Sequence, residues 1–166
     1  MSALRRIGTS GAAITLALSP AAVFGIGMAA ADTMVPLREA LRRCDFSAFG
    51  TAPMLSRPES GDGSAVIHSS GSTASAQVRL LDPDEPGAHF EVGLIQEPRP
   101  SSATCGPGDP GTAYAGLDTD GAGNGTVTIQ ESIRQGSTGL WVIVERPNAN
   151  SQNPAEFYTS EFVAPV

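Results

Sequence analysis

The chain has no lysine, only two histidines, two cysteines and one tryptophan, and aromatic residues make up 5% of it. Its ten basic residues are therefore all arginine, set against 17 acids. No basic stripe is available to neutralise phosphates, which argues against nucleic acid and anionic membrane surfaces as partners. Two imidazoles are too few for a copper–zinc dismutase centre. The G-x-S-x-G elbow of many hydrolases is missing, as is any CxxC pair, and neither cysteine has a histidine near it in sequence. Glycoside hydrolysis needs paired carboxylates in a groove rimmed by aromatics. Asp82, Asp84, Glu85, Glu91 and Glu97 supply the acids, but the few aromatics are better spent on a core. Neither a catalytic residue nor a cofactor can be assigned from sequence.

What is present begins with a leader. Arg5 and Arg6 precede an uncharged stretch from Ala12 to Ala31, which closes on Met28-Ala29-Ala30-Ala31 before acidic Asp32. Basic start, apolar middle and small-x-small end predict a secretory signal over residues 1–31, cleaved after Ala31. The alternative is an uncleaved anchor, since about 20 apolar residues span a bilayer. Pro20, Gly25 and Gly27 make that span weak. Cleavage would leave no stable membrane span and a protein that is secreted or held in the cell envelope. Residues 32–166 keep eight arginines and all 17 acids, a net charge of −9.

Cys44 and Cys105 are the two thiols of the exported part, and in an oxidising compartment such a pair most often forms one disulfide. Closing that loop is expected to stabilise the fold by roughly 4 kcal/mol in the chain-entropy description.

The rest of the chain divides by hydrophobic period. Leu37, Ala40, Leu41 and Cys44 recur at helical spacing after Pro36, so Pro36 to Cys44 is expected to be one short helix. Residues 32–55 form this helix and a lead-in, and residues 56–166 form the main domain. There the period is two. Ala74, Ala76, Val78 and Leu80 make one apolar row, Phe90, Val92 and Leu94 another, Val127 and Ile129 a third. Leu140 to Val144 is apolar on both faces, as in a central strand. Ala65–His68, Ala113–Leu117 and Glu156–Val163 are shorter candidates. Segments rich in Gly, Pro, Asp, Asn and Ser separate them: 56–64, 82–87, 98–111, 118–125 and 147–154. About seven strands with two inner apolar rows predict an all-β, immunoglobulin-like β-sandwich with one short N-terminal helix.

Three constellations carry possible chemistry. Asp118, Asp120 and Asn124 sit in a glycine-rich loop and offer hard oxygen ligands to a metal such as calcium. Ala122 and Ile129 break the EF-hand pattern, and the same residues suit a turn before a strand. Asn124-Gly125-Thr126 matches a glycosylation acceptor. His68 and His89 lie on predicted strands and would serve a hydrolase only beside an acid and a hydroxyl nucleophile.

The all-arginine basic complement, the Ala-Ala-Ala-Asp leader end, the Leu41-Arg42-Arg43-Cys44-Asp45-Phe46 segment and the tail Glu156-Phe157-Tyr158-Thr159-Ser160 resemble small exported proteins of mycobacteria and related actinobacteria. That resemblance implies an envelope or extracellular location. The expected role is non-enzymatic binding of an unknown protein or envelope ligand through loops at one end of the sandwich, 98–111 and 118–125. A secreted hydrolase using His68 or His89 with a nearby acid or serine is the competing expectation.

Overall fold

The computed structural model describes residues 32–49 and 61–166. The leader and the 56–60 part of the first turn segment lie outside the described residues. Nine strands follow in chain order: β1 Asp32–Arg38, β2 Asp62–Ser70, β3 Thr73–Leu81, β4 His89–Glu97, β5 Thr112–Asp118, β6 Asn124–Ser132, β7 Gly139–Arg146, β8 Glu156–Ser160 and β9 Ala164–Pro165. All belong to one antiparallel sheet in the order β5-β4-β7-β8-β1-β2-β3-β6, with β9 added alongside the start of β7.

The sheet curls until its first and last strands approach each other. Leu117 of β5 lies so close to Gly125 of β6 that a Cβ there would stand 2.2 Å from its Cδ2. The result is a near-barrel. Its inner rows form the main core: Val35 and Leu37, Ala65 and Ile67, Ala74 to Leu80, Phe90 to Leu94, Leu140 to Val144 and Tyr158. The period-two rows read from sequence are these inward rows, because alternate residues on a strand face opposite sides. β7, bonded to β4 on one side and β8 and β9 on the other, is the central strand that its two apolar faces predict.

Two expectations are corrected. No helix occurs among the described residues, and Pro36 to Arg38 belongs to β1. An isolated segment with helical spacing also fits a strand if only Val35 and Leu37 need to face inward, and β2 supplies a partner register from Asp32↔His68 to Leu37↔Gly63. Tertiary pairing overrides a nine-residue helical pattern that cannot stand alone. The lead-in is thus part of the sheet, bonded between β8 and β2, rather than an appendage to a domain starting at residue 56. The second correction concerns the sandwich. Strands β5-β4-β7-β8 and β1-β2-β3-β6 do face each other across one core, but Leu37↔Ser160 and Arg38↔Thr159 join them into a single sheet.

A second, smaller core lies on the outside of the sheet. Ile95, Trp141 and Ile143 point outward from β4 and β7 and are covered by Phe46, Cys105 and Val163. The cover is held by the disulfide Cys44–Cys105, with sulfurs 2.06 Å apart. It ties the irregular segment after β1 to the 98–111 loop. Phe46 sits edge-on to Trp141 with ring centroids 5.5 Å apart, and the Arg42 guanidinium lies 4.1 Å over the Phe46 ring. Phe46 holds a φ of 60°, a left-handed conformation unusual for a bulky residue. Its amide donates to the Arg43 carbonyl, fixing the tight turn that aims the ring at Trp141.

Candidate functional site

Both histidines lie on the outer face of the sheet with carboxylates beside them. His68 of β2 stands across from Asp32 of β1 on one side and Ser75 of β3 on the other. Its Nδ1 is 2.7 Å from the Asp32 carboxylate. Acid, imidazole and hydroxyl therefore occupy adjacent strands in one row. The row is open to solvent, with the His68 and Asp32 side chains 44% and 69% exposed. His89 Nδ1 is 2.7 Å from Asp118 and its Nε2 3.3 Å from Glu91. Hydrogen bonding to Asp118, then to Glu91, raises the His89 pKa above its ordinary value. Both ring nitrogens thus face carboxylates, an arrangement that favours the doubly protonated ring as an ion-pair partner.

The two loops read as a joint binding edge do not meet. Loop 98–111 enters β5 and loop 118–125 leaves it, so they sit at opposite ends of that strand. Loop 98–111 is bound to itself and to the sheet. The Arg99 guanidinium donates to the carbonyls of Thr104, Pro110 and Gly111, and the Tyr114 hydroxyl donates to the Cys105 carbonyl at 2.6 Å. Burial pushes the Tyr114 hydroxyl pKa up to about 12, so it stays a donor. Glu97 anchors the base of the loop. One carboxylate oxygen accepts from Trp141 Nε1 at 2.9 Å and the other from the Arg99 amide at 2.8 Å.

In loop 118–125 the Asp118 carboxylate turns to His89. Asp120 Oδ1 accepts the amides of Ala122 at 2.8 Å and Asn124 at 2.9 Å. Those backbone bonds hold the Asp120 pKa below its ordinary value. They are the geometry of an Asx turn leading into β6.

A buried polar cluster closes this same end of the near-barrel. Asp82, directly after β3, and Glu156 of β8 are 2% and 3% exposed. The two carboxyl groups are hydrogen bonded to each other. The Tyr158 hydroxyl donates to Glu156, Arg146 Nε donates to its other oxygen at 3.1 Å, and Arg146 also pairs with Glu85 at 3.0 Å. Desolvation, then the bond to Asp82, pushes the Glu156 pKa up to about 7. Holding the proton on Glu156 lessens the cost of keeping two acids together out of water. Sequence reading counted Asp82 and Glu85 only among the acids a glycosidase could pair. Asp82 is instead buried, and a charge two residues beyond an inward row (Val78, Leu80) was the signal that it would point inward.

The outer face of β1-β2-β3-β6 carries a shallow groove of about 470 Å³. Cross-strand register sets its floor: Pro36, Ser64, Arg79 and Thr126 form one row, and Asp62, Leu81 and Asn124 the next. Met34 and Leu81, two of the most exposed large apolar side chains, lie in it at 69% and 45% exposure. Arg38 stands at its edge, 3.5 Å from Glu161. Arg79 has no hydrogen-bond or ion-pair partner among the described residues. Alternation alone puts these residues outward. The sequence did not mark them because only the register brings them together.

No family model, curated protein or solved structure matches this chain.

Proposed function

We propose that the protein is an exported, non-enzymatic binding module of an actinobacterial envelope or extracellular space, and that it takes an anionic, partly apolar ligand on the β1-β2-β3-β6 face. The observation that carries the reading is the groove. In a chain of net acidic charge it sets an Arg79 guanidinium that pairs with none of the described residues, and the edge residue Arg38, beside exposed Met34 and Leu81. Guanidinium forks recognise carboxylates, and an exposed apolar strip next to them rewards a ligand with both characters. Ser64, Asn124 and Thr126 add hydrogen-bonding groups at the same level.

Export is supported by three features. The leader has the signal-peptide pattern. β1 begins at Asp32, so cleavage after Ala31 leaves the sheet complete. A disulfide suits an oxidising compartment. No helix among the described residues is long and apolar enough to cross a membrane.

The test uses a peptide alternating glutamate and leucine as probe, with affinity measured by calorimetry. Arg79→Glu should weaken binding at least tenfold, and Met34→Ser should weaken it several-fold. Unchanged affinity in Arg79→Glu would remove the groove as the site.

The hydrolase reading keeps one specific observation, the Asp32–His68–Ser75 row. A fluorophosphonate probe labelling Ser75, and failing to label His68→Ala, is what that reading requires; an unlabelled wild-type protein eliminates it.

A further inference from the structure

The sheet curls almost to closure, yet β5 and β6 form no ladder with each other: among the described residues β5 is paired only with β4, and β6 only with β3. The turn joining them is tight, with the Asp120 amide donating to the Asn124 carbonyl and the Gly123 amide to Asp120. At the far end the gap is clasped by a side chain. Gln96 Nε2 donates to the Ser132 carbonyl at 2.9 Å, and the Arg134 amide donates to Gln96 Oε1 at 2.8 Å. Between turn and clasp, two strand edges face each other without pairing.

Along this seam Leu117 and Ile129 are buried, but their inward neighbours are covered less fully than those elsewhere. The inward apolar rows of β1, β3, β4 and β7 are buried. Ala113 and Ala115 of β5 and Val127 of β6 face the same core but are only partly covered. After buried Ile129, Glu131 takes the last inward position on β6, opposite buried Ala74. Its Oε2 is buried and has no hydrogen-bond partner among the described residues. A buried acceptor left unmatched costs free energy, so a donor supplied from outside would be favoured there. Edge strands are usually blunted by lysine, proline or charge. The outward row of β6 is Asn124, Thr126, Thr128, Gln130 and Ser132, with none of these.

We infer that the β5–β6 seam is a strand-addition site for an extended peptide segment carrying a basic residue. Such a segment bonds its main chain to both free edges and sets apolar side chains over Ala113, Ala115 and Val127. Its lysine or arginine meets Glu131. Backbone pairing supplies affinity and alternate side chains supply selectivity, as in other strand-addition complexes. Entry parts the seam by one strand spacing, about 4.8 Å. With no β5–β6 ladder among the described residues, the turn and the Gln96 clasp are left to hold this line. The site adjoins the β1-β2-β3-β6 groove along β6 and takes the opposite charge.

The experiment is amide hydrogen exchange on the purified protein, alone and with a capped peptide alternating threonine and valine around one lysine. In the free protein, alternate amides within 113–117 and 125–131 should exchange rapidly, and the peptide should slow them at least tenfold. Glu131→Gln should weaken binding about threefold and Glu131→Lys at least tenfold, with the far-UV spectrum retained. Three results overturn the inference: seam amides already protected in the free protein, seam amides unchanged by the peptide, or equal affinity in Glu131→Lys. The wild-type exchange data decide even if a variant fails to fold.

Discussion

Glu156 and His89 show how opposite surroundings tune two titratable groups on one sheet. Glu156 is out of water and bonded to Asp82, so its pKa rises to about 7. An acid raised in the folded state binds more protons than it does unfolded. Its contribution is therefore complete at pH below the unfolded value and is lost as pH rises through about 7. Chemical denaturation should show stability falling by on the order of 1–3 kcal/mol between pH 5 and pH 8, and Glu156→Gln should flatten that slope. A flat profile in the wild type would mean that burial does not raise Glu156. His89 is exposed, and its pKa is raised by hydrogen bonds to Asp118 and Glu91. A histidine raised in this way stabilises the fold below its unfolded pKa, and the effect fades as pH passes the folded one. Proton NMR should find the His89 ring titrating above the ordinary imidazole value, and Asp118→Asn should bring it down.

At the scale of elements, the disulfide-tied cover over Trp141 is the feature with the largest expected effect. Cys44 and Cys105 are 61 residues apart in sequence, and their bridge pins Phe46 over the outer core. Replacing both with serine should cost about 2–4 kcal/mol. Trp141 emission should move to longer wavelength as Phe46 releases it, while the far-UV spectrum keeps its β character because the main core lies on the other side of the sheet. Gly93 gives a sharper test of β4 against β5. A Cβ there would lie 2.7 Å from the Tyr114 ring and 3.0 Å from Ile143. Gly93→Val should therefore lower the melting temperature, through overpacking of about 1–3 kcal/mol.

The same scale explains what could be read beforehand. Rows such as Ala74–Leu80 and Phe90–Leu94 announce themselves because burial of one face imposes a period of two. The segment after Pro36 misled because its leucines satisfy both periods, and only the register with β2 decides between them. Ala164–Pro165 is too short to carry any period. The pairing of Cys44 with Cys105 was legible from their number and the leader. The outer core that the bridge covers was not, since Ile95, Trp141 and Ile143 look like the second face of a central strand.

For the whole molecule, two four-stranded halves enclose one core, and only the Leu37↔Ser160 and Arg38↔Thr159 pairs make them a single sheet. A seven-strand sandwich was thus close to the arrangement of layers and wrong about the continuity of the sheet. The groove was invisible in sequence because Arg79 and Leu81 of β3 share a face with Arg38 of β1, two strands away, only through register. Its role rests on where a ligand touches. Amide shift mapping of the labelled protein with the glutamate–leucine peptide should concentrate changes at Arg38, Ser64, Arg79 and Thr126. Changes confined to residues 98–111, or absent from all four groove positions, would contradict it.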